Sequence, residues 1–142
     1  MAVKVYDPAD VDLLIADIPI AGFADGEMIT LEFTSQAFTS MAGSDGEVAR
    51  SKSNDRRAVC TVKLLQTSDS NDLLSALYAS DQLASNGAGI GAFLLRDGQG
   101  RSLYTAAECW IQKHPNVSFD REPTPREWVI EIADCQAFTG GN

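Results

Sequence analysis

The sequence predicts a mainly β fold, an antiparallel β-sandwich or barrel with one packed α-helix. Several segments alternate apolar and polar residues, which is the pattern of half-buried strands, and turns containing Gly or Asp separate them. One further segment has apolar residues at helical spacing. With 142 residues, 44% of them hydrophobic, the chain has the size of one domain and needs no disulfides to hold a core. We therefore expect a single domain over residues 1–142.

The first predicted strands are short, and a regular strand follows them. Val11–Ile15 is an apolar run typical of a strand. Residues 18–20 are expected at a sheet edge, because Pro19 cannot donate a hydrogen bond to a neighbouring strand. After a turn signal at residues 25–26, the alternation over residues 28–34 predicts a strand whose apolar side chains share one face.

The middle of the chain predicts a strand followed by the helix. Ala58–Leu64 alternates small apolar residues with polar ones, which favours a strand with one buried face. Helical spacing of apolar residues predicts an amphipathic helix over residues 70–85. The hydroxyl and carboxylate oxygens of residues 68–70 can cap its N-terminus, and Asn86 and Gly87 are expected to end it.

The C-terminal part is again strand-rich. Residues 90–96 and 102–113 predict a hairpin around a turn at residues 97–100. A last strand is predicted over residues 127–135, with Trp, Ile and Ile at the inward positions. Residues 136–142 are typical of a frayed tail.

Residues 35–55 form a long polar stretch with Phe38 and Met41 as its large apolar residues. Connections of this length within a compact domain are more often functional than not. We expect an extended loop or a hairpin here, in which residues 47–50 pair with residues 56–58.

The charge is unevenly distributed. The net charge of −9 argues against a protein that grips nucleic acid or anionic membranes, since both need a basic surface. Residues 48–65, in contrast, carry five basic residues and one acidic residue. This basic island is either a docking element for an acidic surface or a solvated hairpin tip. No apolar run reaches the roughly 20 residues of a membrane-spanning helix, and the N-terminus has no secretory pattern, so we expect folding where the chain is made.

No motif predicts a cofactor or redox site. The three cysteines lack the C-x-x-C spacing of a zinc or redox site, and each lies in a strand-like run, so we expect them buried. The glycine-rich residues 87–91 follow a predicted helix and precede a strand. Phosphate-binding loops need the reverse order, because the helix N-terminus must meet the phosphate.

Catalytic and metal-binding patterns are also missing. His114 is the one histidine, and no serine lies in the G-x-S-x-G pattern of a catalytic nucleophile. The acids within residues 7–12 lack the glycine and distal glutamate of a calcium loop. Glu127 and Glu131 could form a carboxylate pair for acid–base chemistry, but an exposed sheet face explains them more simply. We therefore expect no catalytic, cofactor-binding or metal-binding residues, and no enzymatic activity.

Four segments carry a resemblance to a known family: residues 64–77, 87–97, 104–111 and 126–128. Together they resemble the small tail tube proteins of contractile-tailed bacteriophages, which are related to the haemolysin-coregulated protein of type VI secretion and to other injection-machine tubes. The resemblance extends over about residues 11–134. Its motifs are structural, so they indicate an architecture and not a reaction.

The resemblance implies a tail-tube-like fold and a virion structural protein. Six copies would form a ring, and stacked rings would form the hollow inner tube of the tail. Each copy would give four strands to a continuous inner barrel, with the helix outside. DNA would pass from capsid to host cell without specific binding. The implied partners are further copies of the chain and the tail sheath, tape measure and baseplate proteins, with no membrane and no cofactor. The protein would be made in the host cytoplasm and located in the tail tube.

Two sets of residues are candidates for this role. An acidic bore would repel DNA and let it slide, so the strand acids are lumen candidates, although Lys63 and Arg57 on a similar face dilute the negative charge. The basic island suits stacking on an acidic neighbouring ring. The lumen candidates are Glu32, Glu108, Glu127 and Glu131; the ring-stacking candidates are Phe38, Met41, Arg50, Lys52, Arg56 and Arg57.

Three further functions fit the same sequence features. A small acidic β-barrel could bind a cationic ligand in a groove. A tube protein of a phage-derived bacteriocin would have the same sequence features as a phage tube protein. A cytosolic enzyme that uses carboxylate chemistry is the third.

Overall fold

The structure, a computed structural model, describes residues 3–141. Strands dominate it, and the predicted fold class, mainly antiparallel β with one helix, is confirmed. The elements in chain order are β1 (Val11–Ile15), β2 (Ile18–Pro19), β3 (Ile29–Phe33), β4 (Phe38–Ala42), β5 (Val48–Lys52), β6 (Ala58–Leu64), α1 (Ser70–Leu83), β7 (Gly91–Asp97), β8 (Leu103–Lys113), β9 (Arg126–Ile132) and β10 (Gln136–Phe138).

Eight strands form the main sheet in the order β2-β1-β7-β8-β9-β6-β3, with β10 beside β8, and every described pairing is antiparallel. The segment after β2 connects distant strands. The Ile20 amide donates to the Leu13 carbonyl at 3.0 Å, and the Ala24 amide donates to the Lys63 carbonyl at 2.9 Å. The chain therefore crosses from β1 to β6, and the sheet curls into a partly closed barrel around its core.

The core is built from the inward rows of β6 and β9, which pair in register. Alternate residues of both strands are buried, from Ala58 to Leu64 and from Trp128 to Ile132. α1 covers this core with Leu74, which is fully buried. The indole nitrogen of Trp128 donates to the Asn71 side-chain oxygen at 2.9 Å, which fastens α1 to β9.

The helix begins at Ser70, as predicted, and differs from the prediction at its C-terminal end. It ends at Leu83, not at residue 85, because Ala84 is already extended. Gly87, expected to end the helix, has φ +73° in the turn that follows, where its carbonyl accepts from the Ile90 amide at 3.0 Å. At the N-terminus, the Ser68 hydroxyl accepts from the Ser70 amide, and the Asp69 side chain makes no capping bond.

One pairing prediction was wrong, and so was the prediction of a frayed tail at residues 136–138. Residues 47–50 do not pair with residues 56–58: β5 pairs with β4, because Gly46, with φ +88°, allows a tight turn between them. The alternating β6 strand instead buries its apolar row in the core of the main sheet. The tail is not simply frayed, since Gln136–Phe138 pairs with β8 at a sheet position that β9 leaves open.

The inward position of Ile130 predicts an asymmetry between neighbouring residues of β9. Replacing Ile130, which is fully buried, by Ala should lower the free energy of unfolding by about 2–5 kcal/mol, since a cavity remains. Val129→Ala, on the opposite face of the same strand, should cost about 1 kcal/mol or less. Urea unfolding of both variants measures the difference, and equal losses would contradict this placement of Ile130.

Candidate assembly surfaces

The hairpin formed by β4 and β5, here called the arm, has no cover from the rest of the described chain. All ten of its strand residues are exposed, and Met41 and Val48 keep 75% and 66% of their surface in contact with solvent. An isolated two-stranded hairpin is marginally stable at best in water. The arm is therefore suited to a partner that covers it.

The two faces of the arm differ in chemistry. The register places Phe38 opposite Lys52, and Ser40 opposite Arg50, on one face. There the Arg50 guanidinium lies 4.3 Å from the Phe38 ring centroid, which is a cation–π contact. Met41 lies on the other face of the arm. Four of the six ring-stacking candidates thus lie on the arm.

The remaining two candidates, Arg56 and Arg57, lie at the base of the arm and form ion pairs within the chain. The Arg56 guanidinium is 2.8 Å from the Asp134 carboxylate. That of Arg57 is 2.9 Å from the Asp55 carboxylate and 4.0 Å from that of Glu131. These contacts join the arm to β9 and the segment after it, which is a role that sequence reasoning missed.

Asp55 is the centre of this base. It accepts hydrogen bonds from the Arg57 side chain at 2.9 and 3.0 Å and from the Ser35 hydroxyl at 2.8 Å. The hydrogen bonds from Arg57, followed by the one from Ser35, hold the pKa of Asp55 well below its usual range. The same pairing raises the pKa of Arg57. Both groups therefore stay charged around neutral pH, and the ion pair persists.

The lumen candidates share the outward face of the main sheet. Glu32 and Glu131 both lie opposite Val59, in one row across three strands. Glu127 lies opposite Lys63, and Glu108 is exposed beside the bulge of β8. The structure thus brings the four acids onto one side of the sheet. Basic side chains lie among them, as the sequence indicated: Lys63 is opposite Glu127, and Lys113 is opposite Val129. The face is therefore of mixed charge.

The main sheet also has an unpaired edge. Within residues 3–141, β3 pairs with β6 along one edge only. An open edge presents backbone donors and acceptors that a strand of another chain can pair with. Sequence reasoning missed this edge. Sequence reasoning also missed the burial of Arg126. Its position two residues before Trp128, in the inward row of β9, could have predicted that burial.

The described residues contain little that suits catalysis. Among residues 3–141, no three His, Cys, Asp or Glu side chains come together as a metal site requires. The cysteines are buried, as predicted. Burial raises the pKa of Cys60 to about 12 and that of Cys109 to about 11, which keeps both thiols protonated and unreactive. No helix within this range has the length and hydropathy needed to cross a membrane.

A curled antiparallel sheet with an open edge and an uncovered arm offers surfaces that suit an assembly of subunits, and known proteins resemble the chain. The chain belongs to the bacteriophage PhiTE tail tube protein family, whose sequence model matches residues 20–140. The curated protein "Structural protein ORF10" of Pseudomonas phage KPP10 is 33% identical over 123 residues, which cover 87% of this chain and 71% of that protein.

The fold has a counterpart among solved structures. The cap that terminates the anti-feeding prophage tube superposes with a TM-score of 0.60, covering 98% of this chain and 95% of the cap chain. At 7% sequence identity, this likeness concerns the fold alone. Family membership makes the chain a structural component of a phage tail, which assembles with other tail components in the virion.

The geometry at the base of the arm predicts an unusual titration of Asp55. In the wild type its carboxyl should stay ionised as the pH falls from 7 to 3. The pKa of Asp55 is lower in the folded protein than the ordinary value of 3.8, so the ionised carboxyl stabilises the folded state at pH values above 3.8. This stabilisation is lost as the pH falls from 3.8 through the lower pKa of the folded state. Carbon-13 NMR of the carboxyl carbon measures the titration.

The matched control for this titration is Arg57→Gln, which removes the main cause of the shift and should return the pKa of Asp55 toward 3.8. A wild-type Asp55 that already titrates near 3.8 would show that the ion pair does not form in solution.

Proposed function

We propose that six copies of the chain form a ring, that rings stack into the inner tube of a contractile phage tail, and that this tube conducts DNA from capsid to host cell. The exposed arm is the observation that carries the proposal. It holds apolar and cationic side chains that its own chain leaves uncovered. A repeated head-to-tail contact with a rise along the axis produces a filament, and the arm supplies such a contact.

Sideways contacts between copies follow from the open edge of β3. Closing six sheets edge to edge removes every unpaired edge. If each copy gives four strands to the inner barrel, the ring contains about twenty-four strands, and a barrel with 16–18 strands already encloses an aqueous channel. The bore would then be wide enough for a DNA duplex.

The outward face of the main sheet is the proposed wall of the bore. Its acids, Glu32, Glu108, Glu127 and Glu131, would repel phosphates, so DNA would slide without counterion release or specific binding. Lys63 lies opposite Glu127 and Arg57 lies near Glu131. Each of these two basic groups therefore has an acidic neighbour that reduces its attraction for DNA.

The arm is the proposed stacking element. Its face with Phe38, Arg50 and Lys52 is cationic and aromatic, whereas the chain as a whole carries a net charge of −9. Opposite charges that meet across an interface favour one docking geometry and disfavour others. Phe38 and Met41 add apolar surface that is covered when rings stack.

The remaining roles follow from this arrangement. The outside of the tube would contact the sheath, its bore the tape measure protein, and its end the baseplate. The chain would be made in the host cytoplasm and would act without catalysis, cofactor or membrane. The tube of a phage-derived bacteriocin would share this architecture. A sheath gene immediately upstream and a tape-measure gene downstream would support a tube in either case. A monomer with a ligand pocket would favour a binding module, and a pH-dependent turnover lost in Glu131→Gln would favour an enzyme.

Cryo-electron microscopy of tubes from virions or purified protein tests the proposal. We expect hollow tubes built from six-fold rings, with Glu127 and Glu131 facing the bore and α1 on the outer side. Protein that stays monomeric, or tubes with α1 lining the bore, would contradict it.

Charge reversal on the arm tests the stacking role. Arg50→Glu with Lys52→Glu should lower the yield of tubes at least about tenfold, because like charges then meet across the ring contact. The matched control is Lys4→Glu with Arg121→Glu, two exposed residues outside the arm, which changes the net charge equally and should leave the yield unchanged. Tubes of normal yield and length from the arm variant would refute the stacking role.

A further inference from the structure

A cavity of about 290 Å³ lies between the loop that follows β8 and the first turns of α1. Its wall includes Asn71 of α1, His114 and Phe119 of the loop, and Arg126 and Trp128 at the start of β9. This volume lies just below the range of small-ligand pockets and is enough for one side chain of another molecule.

Arg126 is the unusual member of this wall. Only 7% of its surface is exposed, yet ion pairs among residues 3–141 do not include it. Its Nη1 donates to the Thr124 carbonyl at 3.1 Å and to the Thr124 hydroxyl at 2.8 Å. Its Nε and Nη2 have no hydrogen bond to the described residues. Among the described residues, every fully buried side-chain nitrogen has a hydrogen-bond partner. These two nitrogens therefore keep some contact with solvent, and Arg126 lines the cavity.

The neighbouring polar groups are already engaged with one another. Trp128 donates to the Asn71 oxygen at 2.9 Å, and the Asn71 amide nitrogen donates to the Leu65 carbonyl at 2.9 Å. The Thr124 amide donates to the Gln66 side chain at 3.1 Å. These bonds hold the wall in place, and no carboxylate within residues 3–141 forms an ion pair with Arg126.

A largely buried cation without a counter-charge is costly, and an anion beside it offsets the cost. The nearby N-terminus of α1 carries a partial positive charge, which also favours an anion. At the rim, the Phe119 ring centroid lies 5.3 Å from the Arg126 guanidinium carbon, and Phe119 keeps 80% of its surface exposed. Aromatic side chains and Arg are enriched at protein interfaces. The cavity therefore suits an acidic side chain of another polypeptide.

We infer that this cavity receives an Asp or Glu side chain of a neighbouring copy of the chain, whose carboxylate pairs with the Nε and Nη2 of Arg126. The inference rests on the proposed function, because a tube brings copies into contact. The chain supplies the partner group in excess, with 20 acidic and 11 basic residues. A guanidinium matches a carboxylate with two parallel hydrogen bonds.

Assembly assays with Arg126→Met and Arg126→Lys test this inference. Arg126→Met should unfold at a urea concentration no lower than that of the wild-type monomer, since it removes an uncompensated charge. Its critical concentration for tube assembly should rise about tenfold or more, because a charge-assisted contact is lost. Arg126→Lys keeps the charge but not the fork and should lie between. Arg121→Met, an exposed arginine of the same loop, is the matched control and should assemble as the wild type does.

The outcomes separate this inference from the proposed function. In a side-chain-resolution map of the wild-type tube, we expect a carboxylate of the adjacent copy about 2.7–2.9 Å from the Arg126 guanidinium. A tube whose cavity holds only water or an apolar side chain would overturn the inference and leave the tube function intact, as would unchanged assembly of Arg126→Met. A loss of monomer stability in Arg126→Met that accounts for its assembly defect would also overturn it. Failure of the wild type to form tubes would overturn both.

Discussion

The paired inward rows of β6 and β9 are the constraint on which the rest of the structure depends. Side chains alternate along a strand, so a slip of one residue would send the whole buried row into solvent. With Cys60 opposite Ile130, the register is determined, and each intervening residue must face outward. The same register places Glu131 within reach of Arg57. The core thus decides both the composition of the outward face and the place where the arm is attached.

The arm shows how a chain can be folded and still incomplete. Its base is held by the contacts of Asp55 and Arg57, whereas its strands contact little besides each other. The base therefore anchors the arm to the main sheet. Because an isolated hairpin is marginally stable in water, a partner that covers the arm would add to its stability. An uncovered segment of this kind fits the proposed stacking contact between subunits.

Charge organises the proposed contacts between copies. A net charge of −9 makes identical subunits repel one another at long range. The cations of the arm and of the Arg126 cavity, in contrast, would attract an acidic surface of the next copy. Repulsion elsewhere disfavours incorrect contacts, which is how electrostatics supplies specificity more than affinity.

Much of the architecture could be predicted from local pattern. Alternation identified β3, β6 and β9 and the faces of their side chains, because a strand with one buried face imposes a period of two on its sequence. Spacing identified α1 to within two residues. The resemblance of its strand and helix motifs correctly indicated the tail tube family. The outward positions of Glu32, Glu127 and Glu131 followed from the same alternation.

What local pattern could not decide was partner choice. Gln136–Phe138 pairs with β8 because β9 leaves that part of β8 open. β5 pairs with β4 and not with β6, whose two edges are taken by β9 and β3. Arg56 and Arg57 belong to one basic run with Arg50 and Lys52 in the sequence. Only the tertiary structure pairs the first two with acids up to 78 residues away and leaves the other two exposed on the arm. The physical reason is that alternation and helical spacing are properties of a short segment, whereas pairing and charge neutralisation depend on residues that only the folded chain brings together.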